Sequence, residues 1–108
     1  MASDEIGRKV ELAWLMAFYG GMLTEKQRQV LTLHCEEDMS LGEIAQEAGI
    51  SRQGVHDLIR RCDKILSGYE EKLKLISKFH KTREMVEEIN RKTRILKETR
   101  EEERNEET

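Results

Sequence analysis

The chain has 108 residues, the length of one small domain with appendages; 38% of them are charged and 37% are hydrophobic. It contains no proline and few aromatic residues, a composition typical of a helical protein and unlike a β-sandwich. Its net charge is −3. No stretch approaches the roughly 18 consecutive apolar residues of a membrane span, and the N-terminus lacks the apolar run of a secretory signal. Cys35 and Cys62 have no CxxC spacing, so we expect reduced thiols in a cytoplasmic protein.

The first predicted helix covers residues 6–19, where apolar residues recur in steps of three and four. Its expected inward face consists of Ile6, Val10, Ala13, Trp14, Ala17 and Phe18, widened by Leu12, Leu15 and Met16. We also expect Tyr19 in the core, and Gly20-Gly21 to end the helix. Thr24 and Gln27 have the spacing of a capping box, which predicts a second helix with Val30, Leu31 and Leu33 facing inward.

The most informative segment is residues 40–61. Ser40 and Glu43 form a second capping box, and Gly49 is expected to end the short helix that it opens. Ser51 is predicted to cap the next helix, which we expect to end at Gly68, before a long helix that begins at Tyr69. The residues expected to fix the crossing of the two helices are Ile44, Ala45, Ile50, Val55 and Ile59. The pattern predicts a helix-turn-helix, and the alternative is an ordinary two-helix hairpin with a glycine turn.

Apolar residues are distributed unevenly along the chain. Residues 1–68 hold 30 of them and residues 69–108 hold 10, so only the N-terminal part can bury a substantial core. We therefore predict an all-α protein with a helix-turn-helix domain over residues 1–80, the motif itself at 40–64. Residues 81–108 are predicted to form a charged helical tail that is partly disordered.

The second helix of the predicted motif carries the candidate nucleic-acid contacts. Its outward residues are Ser51, Arg52, Gln53, His56, Arg60, Arg61 and Lys64. Arginine can pair with guanine and glutamine with adenine in the major groove, whereas the later cations suit phosphates, as does the helix start at Ser51. Asp57, Asp63 and the excess of acidic residues in 1–68 (11 against 8 basic) oppose this interpretation. A solvated helix face remains the alternative.

Other kinds of site find no support in the sequence. The cysteines and histidines fit no zinc spacing, and the glycine-rich phosphate loop of nucleotide-binding proteins is absent. We expect no metal, no cofactor and no enzymatic activity.

The stretch Leu23-Thr-Glu-Lys-Gln-Arg-Gln-Val-Leu, followed by the predicted motif, resembles region 4 of the sigma-70 class of transcription initiation factors. The chain resembles more closely the small YlxM family of helix-turn-helix proteins. The stretches that carry this likeness, over roughly residues 6–80, are Phe18-Tyr19, Leu23–Gln27, Ser40–Ala45, Ser51–Asp57 and Tyr69–Leu73. Gly54 stands where that family more often has alanine, and His34-Cys35 replaces a pair that is commonly aromatic.

The resemblance implies a sigma-70 region 4-like helix-turn-helix bundle with a long C-terminal helix, and no catalytic activity. It also implies a role in the signal recognition particle pathway, beside the targeting GTPase and its receptor. The partner could be DNA, the particle's RNA, or a protein surface. Double-stranded RNA would be a poor target for the recognition helix, because its deep groove is too narrow. If RNA is the partner, we expect contacts to phosphates or to loops. A sequence-specific DNA-binding transcription regulator is the alternative function.

A homodimer is a further hypothesis. The predicted C-terminal helix has apolar residues in helical steps over about three heptads, namely Leu73, Ile76, Phe79, Val86 and Ile89. This helix could pack back on the first helix or pair with a second chain. Because helix-turn-helix proteins often read paired half-sites as dimers, we expect the first and last helices to form a dimer surface.

Overall fold

The computed structural model describes the backbone of residues 2–107 and the side chains of residues 5–106. Within that range the protein is all-α, as predicted, and contains no strand. The helices are α1 (Ala2–Tyr19), α2 (Glu25–Cys35), α3 (Leu41–Ala48), α4 (Arg52–Leu73) and α5 (Leu75–Glu107), with a 3-10 turn at Gly20–Met22. None of these helices is long and apolar enough to cross a membrane.

The predicted helix starts of α2 and α3 are confirmed. The Gln27 amide donates to Thr24 Oγ1 (3.2 Å), and the Thr24 amide donates to the Gln27 side chain (2.9 Å). Ser40 and Glu43 make the same reciprocal pair at 3.2 and 3.1 Å. These bonds to Ser40 hold the pKa of Glu43 below its ordinary value of 4.5. Each box therefore satisfies two of the amides that a helix start leaves unpaired.

The chain divides into two compact units, residues 1–76 and 77–108. The first unit contains two adjoining apolar clusters. The first cluster buries Leu12, Leu15, Tyr19, Leu23, Leu31, Cys62 and Leu66, and the second buries Val30, Ile44, Ala48 and Val55. Leu58 and Ile59 on α4 pack against both clusters, so α4 connects them. In the second unit every described side chain is exposed except that of His80, which is half-buried. A separate, partly disordered tail from residue 81 stays a prediction.

The predicted inward face of α1 is wrong at Ile6, Val10 and Ala17, whose side chains are exposed. Ile6 and Val10 are 64% and 51% exposed, whereas Leu12, Leu15 and Tyr19 are buried. Trp14 and Phe18 are half-buried. The helix carries two apolar stripes side by side, and α2 and α4 cover the one that begins at Leu12. Gly20 follows directly, and the helix ends at Tyr19 as predicted.

The predicted helix break at Gly68 and Tyr69 is also wrong. Helix α4 continues to Leu73, and the break falls at Lys74, whose φ of 53° is left-handed. Such a backbone conformation is costly for a residue with a side chain, so surrounding contacts must compensate for it. Glycine at position 68 does not end a helix by itself, because its backbone adopts helical angles as well.

Tyr19 and Glu70 supply that compensation. The Tyr19 hydroxyl donates to Glu70 Oε1 (2.6 Å) and accepts from the Leu75 amide (3.2 Å), while Glu70 Oε1 also accepts from the Ile76 amide (3.0 Å). The first amides of α5 are thus capped by side chains from α1 and α4. Burial, followed by the hydrogen bond to Glu70, holds the pKa of Tyr19 above its ordinary value of 10. We call these two residues the Tyr19–Glu70 pair.

We expect His34 on α2 to make the stability of the fold depend on pH. Its Nδ1 is buried and forms no hydrogen bond with any of the described residues. Burial, and then the positive charge of Lys9, lower the pKa of His34 from its ordinary value of 6.5, while Asp38 opposes the shift. The folded chain therefore binds fewer protons at His34 than the unfolded chain does. The resulting stability is fully present above pH 6.5 and is lost as the pH falls through the folded-state pKa.

We expect the urea unfolding midpoint of the wild type to decrease when the pH is lowered from about 7.5 to 5.5. The decrease should be smaller in His34→Gln, because glutamine does not titrate. The exposed His56 is the matched control, and His56→Gln should follow the wild type. Asp38 does not interfere, because the hydrogen bond from Lys9 lowers its pKa from an already acidic 3.8. An identical decline in all three chains would show that His34 is not the responsible group.

Candidate nucleic-acid interface

Helices α3 and α4 are joined by the tight turn that the motif requires. α3 ends at Gly49, whose φ of 71° lies in the left-handed region that glycine adopts without strain. The Ile50 amide donates back to the Ala45 carbonyl (3.1 Å), and the Ser51 side chain accepts from the Gly54 amide (2.9 Å) to begin α4. The predicted stop at Gly49 and the predicted cap at Ser51 are both confirmed.

The inner face of α4 is held by the second apolar cluster. Val55 and Ile44 are completely buried, and the half-buried Ile50 and Ile59 pack against them. A hydrogen bond also joins α2 to α3, because the Lys26 ammonium donates to the carbonyl of Ala48 at the end of α3. A cation at this position also opposes the negative end of the helix dipole. The contacts to α2 and α3 leave the opposite side of α4 uncovered.

All seven predicted contact residues are exposed. The structure brings three of them together, since Arg60, Arg61 and Lys64 line one shallow depression with Asp57. We call this depression the α4 basic cluster. Arg52 and Gln53 lie in the first turn of the helix, about two turns away along the axis. The predicted set is therefore one continuous helix face with cations concentrated toward its middle.

Asp57 organises the first two turns of this face. The Gln53 side-chain amide donates to Asp57 Oδ1 (3.0 Å), and His56 Nδ1 lies 3.7 Å from the same oxygen. Two of the predicted contact residues are thus directed toward a carboxylate of their own helix. Gln53 can present its amide to a base only after releasing Asp57, which reduces its contribution to recognition.

The helix start at Ser51 is already occupied by its own cap. Because the Ser51 oxygen accepts from Gly54, an anion at this end would be held by backbone amides and not by that hydroxyl. A methyl group added at Gly54 would lie 3.1 Å from the same oxygen. This crowding opposes the gain of about 1 kcal/mol that helix propensity alone predicts for alanine at this position.

Two residues of this region were not identified from the sequence. The sequence indicates Asp57 only as a negative charge that opposes nucleic-acid contact. Its spacing of four residues from Gln53 is nevertheless the ordinary signal for a side-chain pair on a helix. Lys26 carried no such signal, since its partner is a backbone carbonyl 22 residues away. Lys26 acts on the site by holding the end of α3, and Asp57 acts on it by orienting the Gln53 side chain.

The cysteines and histidines form no metal site in the part of the chain that is described, where no three metal-binding side chains come together. Cys35 and Cys62 are both free thiols. Burial raises the pKa of each above its ordinary value of 9. These side chains belong to the apolar packing of α2 and α4, as Cys62 is fully buried and Cys35 half-buried.

Comparison with known proteins agrees with this geometry. Residues 6–106 match the family model described as "Putative helix-turn-helix protein, YlxM / p13 like" (UPF0122). A UPF0122 protein of Clostridium acetobutylicum is 43% identical over 82% of this chain and 77% of its own length. Relatives of the same name in Clostridium perfringens and Halalkalibacterium halodurans are 48% and 43% identical, over 75% and 78% of this chain and 72% and 77% of theirs. The chain therefore belongs to the UPF0122 family of YlxM/p13-like helix-turn-helix proteins.

Proposed function

We propose that this protein is a non-enzymatic nucleic-acid-binding protein of the signal recognition particle pathway, which contacts the particle's RNA through α4. The observation that carries the proposal is the α4 basic cluster, in which Arg60, Arg61 and Lys64 surround one depression on the uncovered face of the helix. Cations grouped in this way on an exposed helix suit contacts to phosphates.

The geometry of the face favours phosphate contacts over base reading. Gln53 and His56 are directed toward Asp57, whereas Arg60, Arg61 and Lys64 remain exposed around the depression. Phosphate contacts position a protein on a nucleic acid without reading its sequence. An RNA that presents backbone and loops satisfies this arrangement, because its deep groove need not admit a helix.

The pathway enters the proposal through the family likeness, which implies a role beside the targeting GTPase and its receptor. A protein acting there works in the cytoplasm. The net charge of −3 does not attract nucleic acid, so binding would have to rest on the limited contact surface on α4. Direct binding to the GTPase or to its receptor is the competing outcome within the same pathway.

A second candidate function is sequence-specific DNA binding of the sigma-70 region 4 type. The observation that favours it is the exposure of Arg52 and Gln53 in the first turn of α4, where a helix-turn-helix inserts its base-reading residues. A homodimer would present two such helices to paired half-sites. This function requires Gln53 to exchange Asp57 for a base.

The deciding experiment compares binding of the full chain to the particle's RNA, a promoter DNA library, the GTPase and its receptor at one salt concentration, and repeats the RNA measurement over a series of salt concentrations. We expect RNA binding that weakens at least about tenfold in the triple variant Arg60→Ala/Arg61→Ala/Lys64→Ala, with the salt slope reduced by about 2 to 3. The single variant Arg60→Ala should also weaken RNA binding, whereas its matched control Arg28→Ala, which removes an exposed cation from α2, should not. Absence of affinity for RNA, GTPase and receptor would refute the proposed role.

The DNA library separates the second candidate. If the protein reads sequence, Arg52→Ala and Gln53→Ala should flatten its sequence preference while retaining much of its total affinity. Equal preference in the wild type and both variants would count against DNA reading. Binding to the particle's RNA with no preference in the library would favour the first function.

A further inference from the structure

Helix α5 carries a stripe of four large apolar residues and two threonines in the second compact unit. Between residues 79 and 96 the stripe alternates steps of three and four residues, the spacing of a coiled-coil seam. We call it the α5 stripe, and its members are Phe79, Thr82, Val86, Ile89, Thr93 and Leu96. Its four large apolar side chains are 42–72% exposed. A helix gains most of its stability from packing such a face, so the stripe is suited to a partner helix.

We propose that two copies of the chain pair through the α5 stripe in antiparallel orientation, with the two-fold axis between Glu87 and Glu88. In this register the stripe is complementary to itself. Phe79 lies opposite Leu96 of the second copy, and Val86 lies opposite Ile89. Thr82 lies opposite Thr93, so the polar members also meet one another. Each large apolar residue of the stripe thereby meets another large apolar residue.

The charges beside the stripe select this orientation. In a parallel pair the flanking positions would place Lys78 against Arg83 and Lys92 against Lys97, which are like charges. In the antiparallel pair Arg83 lies opposite Asn90, and Lys92 lies opposite Met85. No like charges face each other at these central positions.

Ion pairs within each helix strengthen the argument. Arg83 lies 3.9 Å from Glu87, and Lys92 lies 3.4 Å from Glu88, each one turn along α5. These two cations, which flank the stripe on either side of the proposed axis, are thus balanced by carboxylates on their own helix. The centre of the pair is therefore close to electrically neutral, which favours a second copy over a strongly charged partner.

Sedimentation of the full chain at micromolar concentration tests the pairing. We expect a dimer for the wild type and at least about a 100-fold weaker dimer for Ile89→Asp, because each copy would place an unpaired carboxylate in the seam. Ile95→Asp is the matched control. Ile95 is as exposed as Ile89 (61% against 59%) on the same helix but lies outside the α5 stripe. Circular dichroism should show that both variants remain predominantly helical.

Disulfide formation tests the orientation. In the antiparallel register Thr82 of one copy meets Thr93 of the other, while the two copies of Thr82 lie about 16 Å apart along the axis. Cα atoms joined by a disulfide are at most about 7 Å apart. Mixing Thr82→Cys with Thr93→Cys should therefore give a crosslinked dimer, and neither variant alone should. The wild type shows whether Cys35 and Cys62, which every variant also contains, form crosslinks by themselves.

Three results would overturn the proposal. These are a wild-type monomer, equal dimerisation of Ile89→Asp and the wild type, or crosslinking of Thr82→Cys alone, which a parallel pair would give. None of these measurements contains nucleic acid, so the proposed function on α4 can fail while the α5 pairing holds, and the reverse.

Discussion

Replacing Ile44 with alanine is expected to lower the free energy of unfolding by about 2–5 kcal/mol, the usual cost of removing a large buried aliphatic side chain. Ile44 on α3 is completely buried among Val30, Ala48 and Val55. The second apolar cluster is small, so the lost contacts cannot be replaced by neighbours without moving α3 or α4. Urea denaturation followed by circular dichroism gives the free energy of unfolding directly.

Met22→Ala is the control for Ile44→Ala, because Met22 is 64% exposed and its truncation should change the free energy by no more than about 0.5 kcal/mol. Ile44→Val should fall between the two, at about 0.5–1.5 kcal/mol. Because Ile44 also spaces α3 from α4, nucleic-acid affinity should fall with stability in this series. A cost below 1 kcal/mol for Ile44→Ala would mean that the cluster collapses around the cavity.

Glu70→Ala is expected to cost about 2 kcal/mol of stability and to fray the start of α5. The variant removes the carboxylate that accepts from Tyr19 and from the Ile76 amide, and charge-assisted bonds of this kind contribute more than neutral ones. Helix propensity does not explain the loss, since alanine is the better helix former. Hydrogen exchange at the first amides of α5 should accelerate together with the fall in the unfolding midpoint.

Glu71→Ala is the matched control for Glu70→Ala. Glu71 is exposed on the same turn of α4, so its removal should change stability by at most about 0.5 kcal/mol. Equal effects from the two substitutions would mean that the Tyr19–Glu70 pair contributes nothing beyond ordinary surface charge.

Features that depend on a few neighbouring residues could be predicted from the sequence. The capping boxes at Thr24 and Ser40 are closed within four residues, and the left-handed stop at Gly49 needs only a glycine at the end of an apolar helix. The exposed face of α4 also followed from spacing, because burying Val55 and Cys62 turns Arg60, Arg61 and Lys64 outward.

Features that depend on distant residues could not be predicted in this way. The break at Lys74 requires Tyr19 to meet Glu70, which lies 51 positions along the chain. The choice between the two apolar stripes of α1 was likewise made by α2 and α4, since both stripes have acceptable helical spacing. At the candidate site, spacing identified which side chains are exposed. It carries no information on what these side chains contact.

The burial of Cys62 has a practical consequence. Its thiol lies completely inside the first apolar cluster, and burial raises its pKa, so little of the reactive thiolate is present near neutral pH. A thiol reagent can modify Cys62 only when the helices of the first unit separate. The rate of that modification therefore measures how often the unit opens, and the native chain carries its own chemical reporter of conformational opening.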